Sequence, residues 1–197
     1  MESKGGNVPP ATCITICRIG PVDPVIVEHL SNCITYTCGL NCHVCHQMDT
    51  PLYAFDENRR QYDSKQILKH LIGRHHPSLK FLGITQVDLF VPILKYVFGL
   101  AQVQGQCAII STCRLRPEYY GRAPDPALFL ERVEKTAIHE LGHSLGLTHC
   151  RDRRCIMHSA TTIEDTDRKR PRFCPTCQEL FRWQLAQCVP EAADSCP

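Results

Sequence analysis

The stretch His139-Glu140-Leu141-Gly142-His143-Ser144-Leu145-Gly146-Leu147-Thr148-His149-Cys150 decides the reading of this chain. His139 and His143 are four residues apart. On a helix that spacing stacks two side chains on one face, close enough to share a metal ion. Imidazole nitrogens suit Zn²⁺, which takes four ligands in a tetrahedron. Glu140 projects about 100° around the helix axis from His139, so its carboxylate reaches a metal-bound water without being a ligand. Gly146 sits where glycine commonly ends a helix, and the chain can then turn back with His149. Three protein ligands leave a fourth position for water, the mark of a catalytic zinc site. Zinc brings the pKa of that water to about 7, and Glu140 is placed to take its proton. The plainer alternative is three surface histidines on an amphipathic helix; the coincidence of Gly146 and His149 with the short motif weighs against it.

Upstream, Asp125 is an N-cap and Pro126 a first helical residue. Leu130, Val133, Ala137, Leu141 and Leu145 follow at helical spacing and predict a helix buried against a sheet. Downstream, Cys150 and Cys155 form a C-x₄-C pair and Cys174 and Cys177 a C-x₂-C pair. That is the spacing of a four-thiolate structural zinc site, whose closed shell leaves no room for water. Disulfides, or a redox pair at Cys174 and Cys177, are the alternatives. No thioredoxin-type strand precedes that pair. Met157 is either a space-filling core methionine or a methionine lying beneath the metal site, and the two are physically compatible.

Taken together, His139-Glu140-x-x-His143-x-x-Gly146-x-x-His149-Cys150-x₄-Cys155-x-Met157 with Cys174-x-x-Cys177 resembles the archaemetzincin signature. The segments Phe55 to Tyr62, Asp88 to Gly99 and Arg168 to Phe173 resemble that family too, so the likeness runs from about Gln47 to Trp183. It implies a metzincin-type zinc metallopeptidase with two zinc ions per chain. His139, His143 and His149 would hold the catalytic zinc, and Glu140 would act as general base. Cys150, Cys155, Cys174 and Cys177 would hold the structural zinc, with Met157 in the Met-turn. It also implies an antiparallel edge strand above the cleft that binds extended peptide. Gln104 to Ser111, with Gly105 and short side chains, is the segment expected to supply it.

A length of 197 residues fits one catalytic domain. It is expected to divide into an upper part, 1–146, carrying the active-site helix, and a lower Cys-rich zinc part, 147–197. A net charge of +2 argues against a dedicated nucleic-acid binder. The basic clusters at 151–154 and 168–172 read as solvated loops. The N-terminus lacks a signal-peptide core, and no stretch approaches the roughly 20 apolar residues of a membrane span. The expected setting is cytoplasmic, with the fourteen cysteines as thiols or metal ligands. A monomer acting on a peptide or protein substrate is expected, with no membrane partner.

Residues 11–17, 36–45, 80–87 and 105–112 read as strands, and 47–63 as loop. Short or medium helices are expected after Asp23, from a Ser64 cap to Gly73, and around 178–187. Strands alternating with helices imply an α/β, metzincin-like α+β fold: a mostly parallel twisted sheet with an antiparallel edge strand, packed on helices, plus a small zinc-stabilised C-terminal lobe. Cys33, Cys38, Cys42 and Cys45 read as part of a half-buried strand rather than a metal cluster. Cys13, Cys17, Cys107 and Cys113 read likewise as strand residues, and His75-His76 as a solvated pair. The leading function is zinc-dependent endo- or aminopeptidase. The alternative is a weakly active or inactive zinc protein that binds a peptide or protein in the cleft.

Overall fold

The computed structural model describes residues 12–74 and 76–189. A five-stranded sheet forms its centre. Strands β1 (Ile14–Ile19), β2 (Cys42–Val44), β5 (Lys80–Thr85) and β8 (Cys107–Ser111) run parallel, and β7 (Gly99–Ala101) closes one edge antiparallel to β8. The spatial order is β2-β1-β5-β8-β7. A small second sheet joins β3 (Phe55–Asp56), β4 (Gln61–Asp63) and β6 (Leu89–Phe90).

The central strands are buried on both faces, which is why they read as apolar runs rather than as alternating patterns. Ile14, Ile16, Leu82, Ile84, Ala108 and Ile110 face helices α1 (Pro24–Cys38) and α3 (Pro126–Ser144). Cys17, Ile19, Phe81, Cys107 and Ile109 face helix α2 (Ser64–Ile72) through Ile67, Leu68 and Leu71. The C-terminal segment adds α4 (Ile163–Arg168) and α5 (Pro175–Cys188). Its Ile156, Met157, Ile163, Phe173 and Phe181 join the same core as α1 and α3.

Several expectations need correction. The helix after Asp23 runs 15 residues to Cys38 and ends on Gly39 at φ 69°, so Tyr36 to Cys38 are helical. Only Cys42–Val44 of the expected second strand remain. Val44 is exposed, so the expected alternation fails there. Cys33 and Cys38 therefore sit on α1, and Cys113 lies in a 3₁₀ turn. The cap of α2 is Asp63, whose carboxylate accepts from Lys65 N at 2.8 Å, rather than Ser64. Residues 55–63 form a short hairpin within the expected loop. His76 is half-buried and stacks on Phe81 at 3.8 Å, while His75 lies outside the described residues. The antiparallel edge strand is β7, and Cys107–Ser111 is an interior parallel strand. A parallel sheet of βαβ units leaves one strand position beside β8, and the chain fills it by a tight reversal at 102–105.

Candidate active site and cysteine cluster

Helix α3 carries the site, and several contacts fix its two ends. Asp125 Oδ1 accepts from Leu128 N at 2.9 Å and Pro126 opens the first turn. At the far end Gly146 takes φ 93°, and Leu147 N donates back to Gly142 O at 3.0 Å. Left-handed backbone of this kind suits glycine and lets the chain reverse. The buried Lys80 donates to the carbonyls of Gly105 and Ser144 at 2.7 and 2.8 Å, tying the sheet to the helix end.

The reversal brings His149 beside His139 and His143. His143 Nε2 lies 3.1 Å from His139 Nε2 and 3.2 Å from His149 Nε2. Each of the two helical imidazoles has its other nitrogen on a carbonyl: His139 Nδ1–H donates to Ile156 O at 2.8 Å, and His143 Nδ1–H to Leu147 O at 2.7 Å. A carbonyl only accepts, so both rings present Nε2 lone pairs to one point. Burial lowers the pKa of all three histidines, that of His139 well below its ordinary value. They are neutral donors at physiological pH.

Zinc bonds of about 2.1 Å to nitrogen and 2.3 Å to sulfur place neighbouring donors of a tetrahedron about 3.4 Å apart for two nitrogens and about 3.8 Å for two sulfurs. The histidine spacings are close to the first figure. Cys150 and Cys174 Sγ are 3.8 Å apart, and the Sγ atoms of Cys150, Cys155, Cys174 and Cys177 all lie within 4.8 Å of one another. Both clusters fit zinc in donor type and in spacing. None of the thirteen described cysteines is in a disulfide. Cys174 stands at the N-cap of α5, and the nearby Cys177 backbone N–H lowers its pKa despite some burial. Met157 is fully buried against α3; a Cβ on Gly142 would stand 2.5 Å from its Sδ.

The histidines line a cleft of about 640 Å³ between β7 and the 159–169 segment. Tyr96 O–H donates to Thr161 O at 3.0 Å across it. Glu140 is buried in its floor, and burial pushes its carboxyl up to about 8 while Lys169 pulls the other way. Lys169 was expected in a solvated basic loop. It is instead 3% exposed, lines the cleft and donates to His158 O at 3.2 Å. Its burial lowers its own pKa to about 8, with Glu140 opposing the shift. Nothing in its basic sequence neighbourhood marks it. It caps the C-terminus of α4, a helix of six residues, too short to show a periodic apolar pattern. Arg132, fully buried on α3, draws α4 in through a bidentate pair with Asp167 at 2.7 and 2.7 Å.

Known proteins resemble this chain in sequence and fold. The model of peptidase family M54 matches residues 38–182. The archaemetzincin of Methanocaldococcus jannaschii is 39% identical over 166 residues, which is 83% of this chain and 89% of that protein. That of Thermococcus kodakarensis is 43% identical over 129 residues, 64% of this chain and 69% of its own. Among solved structures, the archaemetzincin of Methanopyrus kandleri superposes with a TM-score of 0.78 at 34% identity, covering 91% of this chain and 99% of that one. A zinc-dependent peptidase from Methanocorpusculum labreanum gives 0.76 at 28% identity, with 85% and 99% covered. A motif, a mostly parallel α/β fold and two donor clusters thus agree with sequence and structural kinship, and the chain belongs to peptidase family M54, the archaemetzincins, as a zinc metallopeptidase.

Proposed function

We propose that the protein cleaves extended peptides seated along β7, with Glu140 as the general base. The carrying observation is the convergence of three neutral imidazole Nε2 atoms beside a buried glutamate in the cleft floor. His139, His143 and His149 would hold one zinc ion and Cys150, Cys155, Cys174 and Cys177 a second. Bound at the histidines, zinc supplies a Lewis acid, acidifies water and favours the ionised form of Glu140.

Glu140 accepts the proton of the attacking water at its carboxylate as oxygen bonds to the scissile carbonyl carbon. The same carboxyl returns that proton to the departing amine nitrogen as the C–N bond breaks. The Lys169 ammonium favours the ionised carboxylate beforehand. At the edge of the sheet, β7 has β8 on one side and the cleft on the other, so its outward backbone groups are placed to pair with substrate backbone. Parts 1–146 and 147–197 contribute the two walls of one catalytic domain.

Glu140→Gln is the decisive variant. General bases contribute roughly 10²–10⁴-fold, so peptide hydrolysis falls by at least about 100-fold while zinc content and fold are kept. Hydrolysis at the wild-type rate would remove Glu140 from the reaction. A zinc-loaded wild type that cleaves no sequence in a broad peptide library would point instead to a peptide-binding protein.

A further inference from the structure

On the side of α3 away from the catalytic histidines, a third group of ligand-type side chains meets. His29 and Cys33 come from α1 and Glu134 from α3. We propose that these three residues form an additional, exchangeable zinc site that clips α1 to α3.

The geometry accommodates a shared ion in place of the direct Cys33–His29 hydrogen bond. Cys33 Sγ lies 3.5 Å from His29 Nε2, and His29 Nε2 lies 3.7 Å from Glu134 Oε2. All three donors are within 4.8 Å of one another. Around a tetrahedral zinc, a sulfur and a nitrogen stand about 3.6 Å apart and a nitrogen and an oxygen about 3.4 Å. An N–H···O hydrogen bond would bring His29 and Glu134 to about 2.7–3.2 Å, and they are not that close. His29 and Cys33 are four residues apart on one helix, the same spacing as His139 and His143. Glu134 precedes His139 by five residues, which is about 7.5 Å along the axis and 140° around it. Helix α3 thus presents two imidazoles to one side and a carboxylate to another.

The chemistry is consistent with that geometry. Thiolate, imidazole and carboxylate are all zinc ligands, and the first two disfavour magnesium and calcium. Metal entry replaces the Cys33 S–H bond by a sulfur–metal bond and releases the proton to solvent, with no change of oxidation state. Without a cation, burial and the Glu134 carboxylate both push the Cys33 thiol up. The adjacent Lys135 does not compete for Glu134, because its ammonium pairs with Glu131. His29 and Glu134 side chains are 29% and 21% exposed, so water completes the shell and the ion can exchange.

The test uses the full chain carrying its tightly held zinc. It is titrated at micromolar buffered free zinc, and bound metal per chain is counted by mass spectrometry together with the melting temperature. Cys33→Ser and Glu134→Gln keep side-chain shape, and unchanged circular dichroism and peptide hydrolysis confirm their fold. The wild type should take up one further equivalent and melt at higher temperature with zinc. Both variants should lose that equivalent and the thermal shift. Filled with cobalt, the additional site of the wild type should give a thiolate-to-metal absorption that both variants lack. No further equivalent in the wild type, or one that survives in either variant, overturns the proposal.

Discussion

A Cβ placed on Gly99 would stand 2.7 Å from Glu140 Cγ, 2.9 Å from its Oε1 and 2.8 Å from the carbonyl oxygen of Ile109. The glutamate can rotate away, but the β8 carbonyl cannot move without loosening the strand pairing. Gly99→Ala should therefore displace Glu140 or β7 and lower kcat/KM about 100-fold, the cost of a misplacement near 1 Å, with zinc content unchanged. Unaltered kcat/KM in the zinc-replete variant would show that this contact does not hold the base. The seven candidate ligand residues were legible because spacing along the chain encodes them. Gly99 and Lys169 were not, because each acts on Glu140 across more than twenty residues of sequence.

Helix α4 belongs to the next scale. Six residues are too few to fold alone, and a capping box starts it: Asp165 N donates to Thr162 Oγ1 while Thr161 and Thr162 donate to Asp165 Oδ2. Thr162→Ala should destabilise the protein by about 1 kcal/mol near neutral pH. Burial alone would raise the Asp165 carboxyl, but those hydrogen bonds outweigh it and hold it below its ordinary 3.8. A depressed carboxylate stabilises above its unfolded value and loses that effect as pH falls through the folded one. The gap between wild type and Thr162→Ala should accordingly narrow in chemical denaturation as pH falls below the ordinary 3.8 of that carboxyl. A gap independent of pH would mean that the threonine acts only as backbone cap. Periodicity gave α3, α2 and the core strands. It placed a strand over Tyr36 to Cys38 because Thr-Tyr-Thr-Cys favours extended backbone locally, whereas Ile34 and Cys38 bury one turn apart on α1.

For the molecule as a whole, the question is whether the C-terminal segment stands alone. Phe181 on α5 is 1% exposed, meets Phe173 at 4.6 Å and lies in the core shared with α1 and α3. Phe181→Ala should cost about 3–5 kcal/mol. Trp183, the single tryptophan, reports on α5, and far-ultraviolet circular dichroism reports on all helices. Both signals should shift together to lower denaturant, as one cooperative unit requires. A shift in fluorescence alone would mark an independent lobe. The sequence by itself determined the donor chemistry: which imidazoles, thiols and carboxylate occur at which spacing, and the helix stop that returns His149. Tertiary structure alone decided which strand forms the sheet edge, why Lys169 faces Glu140, and that Glu134 meets His29 and Cys33. Spacing fixes neighbours within one turn or one strand, but contacts between elements depend on how the buried faces of helices and sheet pack.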